Sequence, residues 1–128
     1  MNQVLLDTHA LVWWLEGREK LSARARRAIE DSDTTVFVSA ASAWELAIKT
    51  QIGKFKSAEL VSDLDAQVRE EGFVELPISI EHALQAGNLA SAHKDPFDRM
   101  LIAQAQIEKL PIVSRDDWMD EYGVSRIW

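Results

Sequence analysis

Short uninterrupted apolar runs alternate along the chain with longer stretches whose apolar residues recur every third or fourth position. Gln3-Val4-Leu5-Leu6 is the first run and ends at Asp7; Thr8 to Leu15 then reads as a helix broken by Gly17. Ser22 is placed to cap a second helix through Ile29, closed by the polar turn Asp31-Ser32-Asp33. Val36-Phe37-Val38 reads as the second strand, and a helix follows Ser39 and ends near Gly53. Ser57 to Glu70 reads as one helix stopped by Gly72, ahead of a third strand, Phe73 to Leu76, that Pro77 ends. Ser79 to Leu89 is helical, and a loop follows. Asp95 at the N-cap and Pro96 at the first helical position, where a missing N–H costs nothing, open a helix through Glu108. Pro111 to Ser114 gives a fourth strand, Asp116 to Glu121 a short helix, and Val124 to Trp128 an edge strand.

Strands that alternate with helices and are apolar on both faces predict a three-layer α/β/α fold: a central parallel sheet of about four to five strands, covered on both sides. With 128 residues, 47% of them hydrophobic, the chain is long enough for one core and too short for two ordinary domains. In open parallel sheets, ligands bind beyond the carboxyl ends of the strands where the chain order reverses. The residues just after the strands are therefore the first to inspect.

Acids stand there. Asp7 follows the first strand and Asp116 follows the fourth by about one turn. Either alone is more simply a helix cap. Glu45 is harder to set aside, because it shares a helical stripe with Ala41, Trp44, Ile48 and Ile52 and should point toward the core. Asp98 precedes Leu101, Ile102 and Ala105 on a helix that is apolar almost all round, although it could also be a first-turn acid supporting the cap at Asp95. Charged groups are seldom buried unless paired or bound to metal. Two carboxylates about 4 Å apart repel by roughly 4 kcal/mol at an effective dielectric near 20, so a cluster of such acids calls for a cation.

The chain has no cysteine, which removes disulfides and thiolate ligands. His9, His82 and His93 show no ligand spacing and read as surface or packing residues. An oxygen-only donor set favours a hard ion, Mg²⁺ or Mn²⁺. There is no glycine-rich phosphate loop and no nucleophile elbow. A receiver-type phosphoacceptor domain would need an aspartate at the end of a central strand, where this chain has Val38-Ser39.

A formal charge of −7 argues against a uniformly basic surface for coating nucleic acid. The basic residues are nevertheless grouped, and Arg24, Arg26, Arg27 and Lys49 are candidate phosphate contacts, with a solvated helix face as the simpler reading. Trp13 and Trp14 point about 100° apart, so one belongs to the core and the other is available to a partner. No apolar run reaches the roughly 18 residues of a membrane span, and Met1 to Leu6 leads into an acid instead of forming a signal segment. A soluble, cytoplasmic protein is expected.

The stretches LLDTHALVWWL, SAASAWELAIK, DPFDRMLIAQA and IVSRDDWMDEYGV, in that order across nearly the whole chain, resemble the PIN-domain family, in particular its VapC-type toxins of type II toxin–antitoxin systems. The resemblance implies a metal-dependent endoribonuclease in which Asp7 and Asp98 are the core Mg²⁺ or Mn²⁺ ligands, with Glu45 and Asp116 completing the site directly or through water. Ser114 stands where many members have threonine and would support the site. Asp95, one turn before Asp98, and Asp117, next to Asp116, are the alternatives at those two positions. The implied partners are an RNA substrate, a cognate antitoxin protein and a second copy of the chain, with no membrane. Two other readings stay open: a catalytically silent module of the same fold that binds RNA or protein, and a nuclease of RNA processing.

Overall fold

A computed structural model describes residues 2–90 and 95–128. His93 lies outside the described residues. Five strands form one sheet: β1 (Asn2–Leu6), β2 (Thr34–Ser39), β3 (Val74–Leu76), β4 (Ile112–Val113) and β5 (Arg126–Ile127), in the order β3-β2-β1-β4-β5. Every neighbouring pair is parallel. The central strand shows why both faces must be covered. Val4 and Leu6 pack into one core with Leu11, Val38, Leu64 and Phe73, whereas Leu5 between them joins Leu101, Ile102, Ile112 and Met119 on the opposite side. The expected three-layer architecture is the one observed.

The helices are α1 (Thr8–Glu16), α2 (Ala23–Glu30), α3 (Ala40–Gln51), α4 (Ala58–Ser62), α5 (Leu64–Glu70), α6 (Ile80–Asn88) and α7 (Pro96–Glu108). Their starts follow the expected caps. Ser22 accepts from the Ala25 N–H and Asp95 from the N–H groups of Phe97 and Asp98. Gly72, at φ 74°, supplies the left-handed turn before β3.

Three expectations change. The single helix over residues 57–70 is two, α4 and α5, separated at Asp63, and the Ser62 hydroxyl bonds back to the Glu59 carbonyl at 3.0 Å, competing with the backbone ladder at the break. The short helix after β4 is a 3-10 turn, Asp117–Tyr122. On α3 the buried residues are Ala41, Ser42, Glu45 and Leu46, while Trp44, Ile48 and Ile52 are exposed. Glu45 is buried as its periodicity suggested, but the apolar residues of that stripe face outward, because small and polar side chains let α3 approach α1 and the sheet closely.

Candidate active site

The chain order reverses between β1 and β4, so the carboxyl ends of these two strands form the crevice such sheets offer to ligands. Asp7 sits there. Its N–H still donates to the Val113 carbonyl at 3.1 Å, holding its backbone to the sheet, while its side chain accepts from the Ala10 N–H at 2.7 Å as the cap of α1. The cap reading and the site reading of Asp7 are therefore compatible. Only 3% of the residue is exposed. Ser114, fully buried after β4, hydrogen-bonds the Asp7 carboxylate and accepts from the Asp116 N–H at 3.0 Å. Burial pushes the Asp7 pKa up to about 6; the neighbouring charge of Asp116 adds to this, and the Ser114 and Ala10 hydrogen bonds and His9 pull the other way.

Across the crevice, α3 carries Glu45. Ser39 starts the helix, accepting from the Ala41 N–H at 3.0 Å and donating to Gln104 Oε1 of α7 at 2.6 Å. One turn on, Ser42 accepts from the Thr8 hydroxyl at 2.9 Å, which ties α3 to the residue after Asp7. Glu45 lies a further turn along the same face and is 5% exposed. Lys49 donates to Glu45 Oε2, and Oε1 is buried with no hydrogen-bond partner among the described residues. Desolvation lowers the Lys49 pKa, but the hydrogen bond and charge of Glu45, with the charges of Asp95 and Asp98, outweigh it and raise the value overall. Asp98 is half-buried in the first turn of α7, next to the capping Asp95.

The structure thus assembles two groups on one sheet edge, Asp7 with Ser114 and Asp116, and Glu45 with Lys49, Asp95 and Asp98, joined through the Thr8–Ser42 bond. Among the described residues, no three acidic or histidine side chains converge closely enough to enclose an ion as they stand. The chemistry of the donors nevertheless fits one. An anionic oxygen buried without a donor is costly, and a hard divalent cation is the partner an all-oxygen set suits. Asp117 is exposed and contributes to the field at Arg126.

Arg24, Arg26 and Arg27 are not brought to these acids. Ala28 in the last turn of α2 borders Asn2, Thr34 and Pro111, at the edge where the strands begin, and Arg26 donates to the Arg18 carbonyl at 2.8 Å. Of the four basic candidates only Lys49 stands among the acids. The sequence pattern did not point to the polar braces Thr8, Ser42 and Gln104. Gln104, a fully buried amide on an otherwise apolar stretch of α7, was the signal available for that brace.

A model of the PIN domain matches residues 4–124. The chain belongs to the PIN domain family. Among curated relatives, Ribonuclease VapC22 of Mycobacterium tuberculosis is 31% identical over 120 residues, covering 91% of this chain and 88% of its own. Among solved structures, VapBC2 from Rickettsia felis bound to a DNA fragment from their promoter aligns with TM-score 0.70 at 14% identity, covering 98% of this chain and 99% of that one. VapBC-1 from nontypeable Haemophilus influenzae aligns at 0.69 with 16% identity, over 97% and 96% of the two chains. At these identities the solved structures establish the fold alone.

Proposed function

We propose that this PIN domain is a metal-dependent endoribonuclease and the toxin half of a toxin–antitoxin pair. The observation that carries the reading is the presence of two buried carboxylates, Asp7 and Glu45, at the carboxyl edge of the parallel sheet, one of them with an oxygen that no donor among the described residues meets. The relative named as a ribonuclease and the VapBC complexes of the same fold support it.

Asp7 and Asp98 would hold Mg²⁺ or Mn²⁺, with Glu45 and Asp116 as direct or water-mediated ligands; the bound ion supplies a water of lowered pKa and offsets charge developing on the phosphate. The protein's own part is orientation. The Ala10 N–H and the Ser114 hydroxyl fix the Asp7 carboxylate, and Lys49 holds Glu45 by Oε2, leaving Oε1 as the oxygen that would face the ion or its water. An antitoxin helix would lie in the apolar groove of about 590 Å³ between α3 and α5, lined by Ala43, Ala47, Leu64, Val68 and Phe73. A second copy would cover Trp44, Ile48 and Ile52 on the exposed face of α3. Among the described residues, no helix is long and apolar enough to cross a membrane.

The test is cleavage of total cellular RNA with Mg²⁺ or Mn²⁺, with EDTA as the stop, comparing wild type with Asp7→Asn. Asn retains the capping acceptor for Ala10 but loses the charge. The variant should fold and lose cleavage by at least about 100-fold. Equal cutting by Asp7→Asn removes Asp7 from the catalytic machinery, and no cutting by wild type with either ion favours the silent binding module.

A further inference from the structure

Beside the acids, the same edge of the sheet carries side chains that the proposed chemistry does not use. His9 lies two residues past Asp7, and Arg115 immediately precedes Asp116. Both are exposed, and both meet Trp13. The His9 ring stacks on the indole with centroids 5.5 Å apart and planes 21° from parallel. The Arg115 guanidinium stands 5.0 Å from the indole centroid, and Trp128 meets the same indole at 5.8 Å and 51°. Trp13 itself is partly buried against the core and anchors the group.

Core formation does not account for this arrangement. Trp14, the adjacent indole, is the one buried in the core, donating to Glu71 at 2.7 Å, whereas Trp13 holds two exposed polar residues over it. An imidazole stacked through one face on an indole has lost most of its rotamer freedom before any ligand arrives, so its other face is a pre-oriented platform. A guanidinium held over an indole at cation–π distance, as Arg115 is over Trp13, keeps N–H groups for a phosphate. A π platform and a phosphate fork, each within two residues of a site acid, match one nucleotide whose base is unstacked from its neighbours, as in single-stranded RNA.

We propose that His9, Trp13 and Arg115 form a subsite for one unpaired RNA nucleotide next to the cleaved bond, the base stacking on the solvent face of His9 and the phosphate meeting Arg115. The location relative to cleavage rests on the nuclease reading above; the binding does not. Trp13 orients the other two and is left intact in the test because it packs against the core.

The experiment measures binding of a fluorescent single-stranded oligoribonucleotide of mixed sequence, and of its duplex, by anisotropy to the full chain carrying Asp7→Asn so that RNA stays intact. In that background His9→Ala and Arg115→Ala should each weaken single-strand binding by about tenfold, and His9→Phe should retain it, because Phe stacks without a proton or charge. Arg115→Ala should also make the slope of log affinity against log salt shallower by about 0.7, the value for one phosphate contact on a single strand, while His9→Ala leaves the slope alone. Duplex binding should change by less than about twofold in both. Single-strand affinity of His9→Ala within about twofold of the parent, or His9→Phe binding as weakly as His9→Ala, overturns the subsite. Cleavage of cellular RNA by the wild type is read separately: loss of that activity with His9-dependent binding intact removes the nuclease reading alone, and cleavage with His9-independent binding removes the subsite alone.

Discussion

Asp7 and Glu45 are both buried carboxylates at the carboxyl edge of one sheet, yet their surroundings differ in kind. Asp7 is held by neutral donors, a backbone N–H and the Ser114 hydroxyl, and its nearest acid, Asp116, raises its proton affinity. Glu45 is held by an ammonium, Lys49, which also feels Asp95 and Asp98. The strand side therefore holds its proton to a higher pH than an ordinary aspartate does, and the helix side meets its charge with a fixed cation. Burial alone does not decide how a carboxylate is kept; the partner within hydrogen-bond reach does. A divalent ion would replace the proton on the one side and relieve the orphaned Glu45 oxygen on the other.

The largest effect that can break this contrast is the pH dependence of the metal-free protein. The folded-state pKa of Asp7, about 6, lies above the ordinary aspartate value of 3.8. Its contribution to stability is therefore fully present below about pH 4, falls as pH rises, and is lost once pH passes the folded value. A separation of that size is worth about 3 kcal/mol, as an upper figure. Denaturant unfolding in EDTA at pH 4.5, 5.5, 6.5 and 7.5 should show wild type losing stability across this window relative to Asp7→Asn, which cannot titrate. Parallel curves for the two proteins would show that Asp7 is ionised and satisfied without metal.

Much of this site could be read in the sequence, for identifiable reasons. Asp7 and Asp116 follow apolar runs, and the rule that parallel sheets bind ligands past their strand ends directs attention to such positions from the pattern alone. Helical periodicity singles out Glu45, although the stripe drawn through Trp44 and Ile48 is centred on the wrong face. Periodicity gives relative angles and not which sector is covered; here Ala41, Ser42 and Leu46 settle it through contacts with α1 and the core that no local pattern encodes. The split at Asp63 is hidden for a related reason. Leu60, Leu64 and Val68 keep an unbroken four-residue spacing across the break, so the apolar pattern runs straight through it. The Lys49–Glu45 pair is visible only as an i, i+4 spacing, which on most helices marks a surface bridge of little consequence.

A smaller effect sharpens the comparison from the helix side. Lys49→Met removes the ammonium and leaves Glu45 buried with both oxygens short of partners. Breaking a fully buried pair costs about 3–5 kcal/mol; with the lysine side chain 37% exposed, about 2 kcal/mol is the expected loss in the metal-free protein. Mn²⁺ should stabilise the variant more than wild type at equal concentration, because the ion then meets Glu45 without the competing ammonium of Lys49. Thermal melts in EDTA and across a Mn²⁺ titration read both quantities. A variant as stable as wild type without metal would mean that Glu45 does not depend on Lys49 and that the two sides of the site are not different after all.

The smallest effect is expected at Arg26, where the basic group on α2 offered phosphate contacts that the fold places elsewhere. The last turn of α2 borders the strand starts, the edge opposite the acids, and the Arg26 guanidinium donates to the Arg18 carbonyl at 2.8 Å. Arg18 in turn lies over the Trp14 ring at 3.7 Å and pairs with Glu71. Arg26 and Arg18 thus link α2 to α1 and to the end of α5. Arg26→Ala should therefore leave the salt dependence of RNA binding unchanged, while lowering thermal stability modestly through the lost carbonyl contact. Affinity for the single-stranded oligoribonucleotide across salt, measured beside Arg115→Ala, separates the two arginines: the slope should move for Arg115 and stay for Arg26. A shallower slope for Arg26→Ala would place RNA across both edges of the sheet and remove the distinction between a catalytic edge and a structural one.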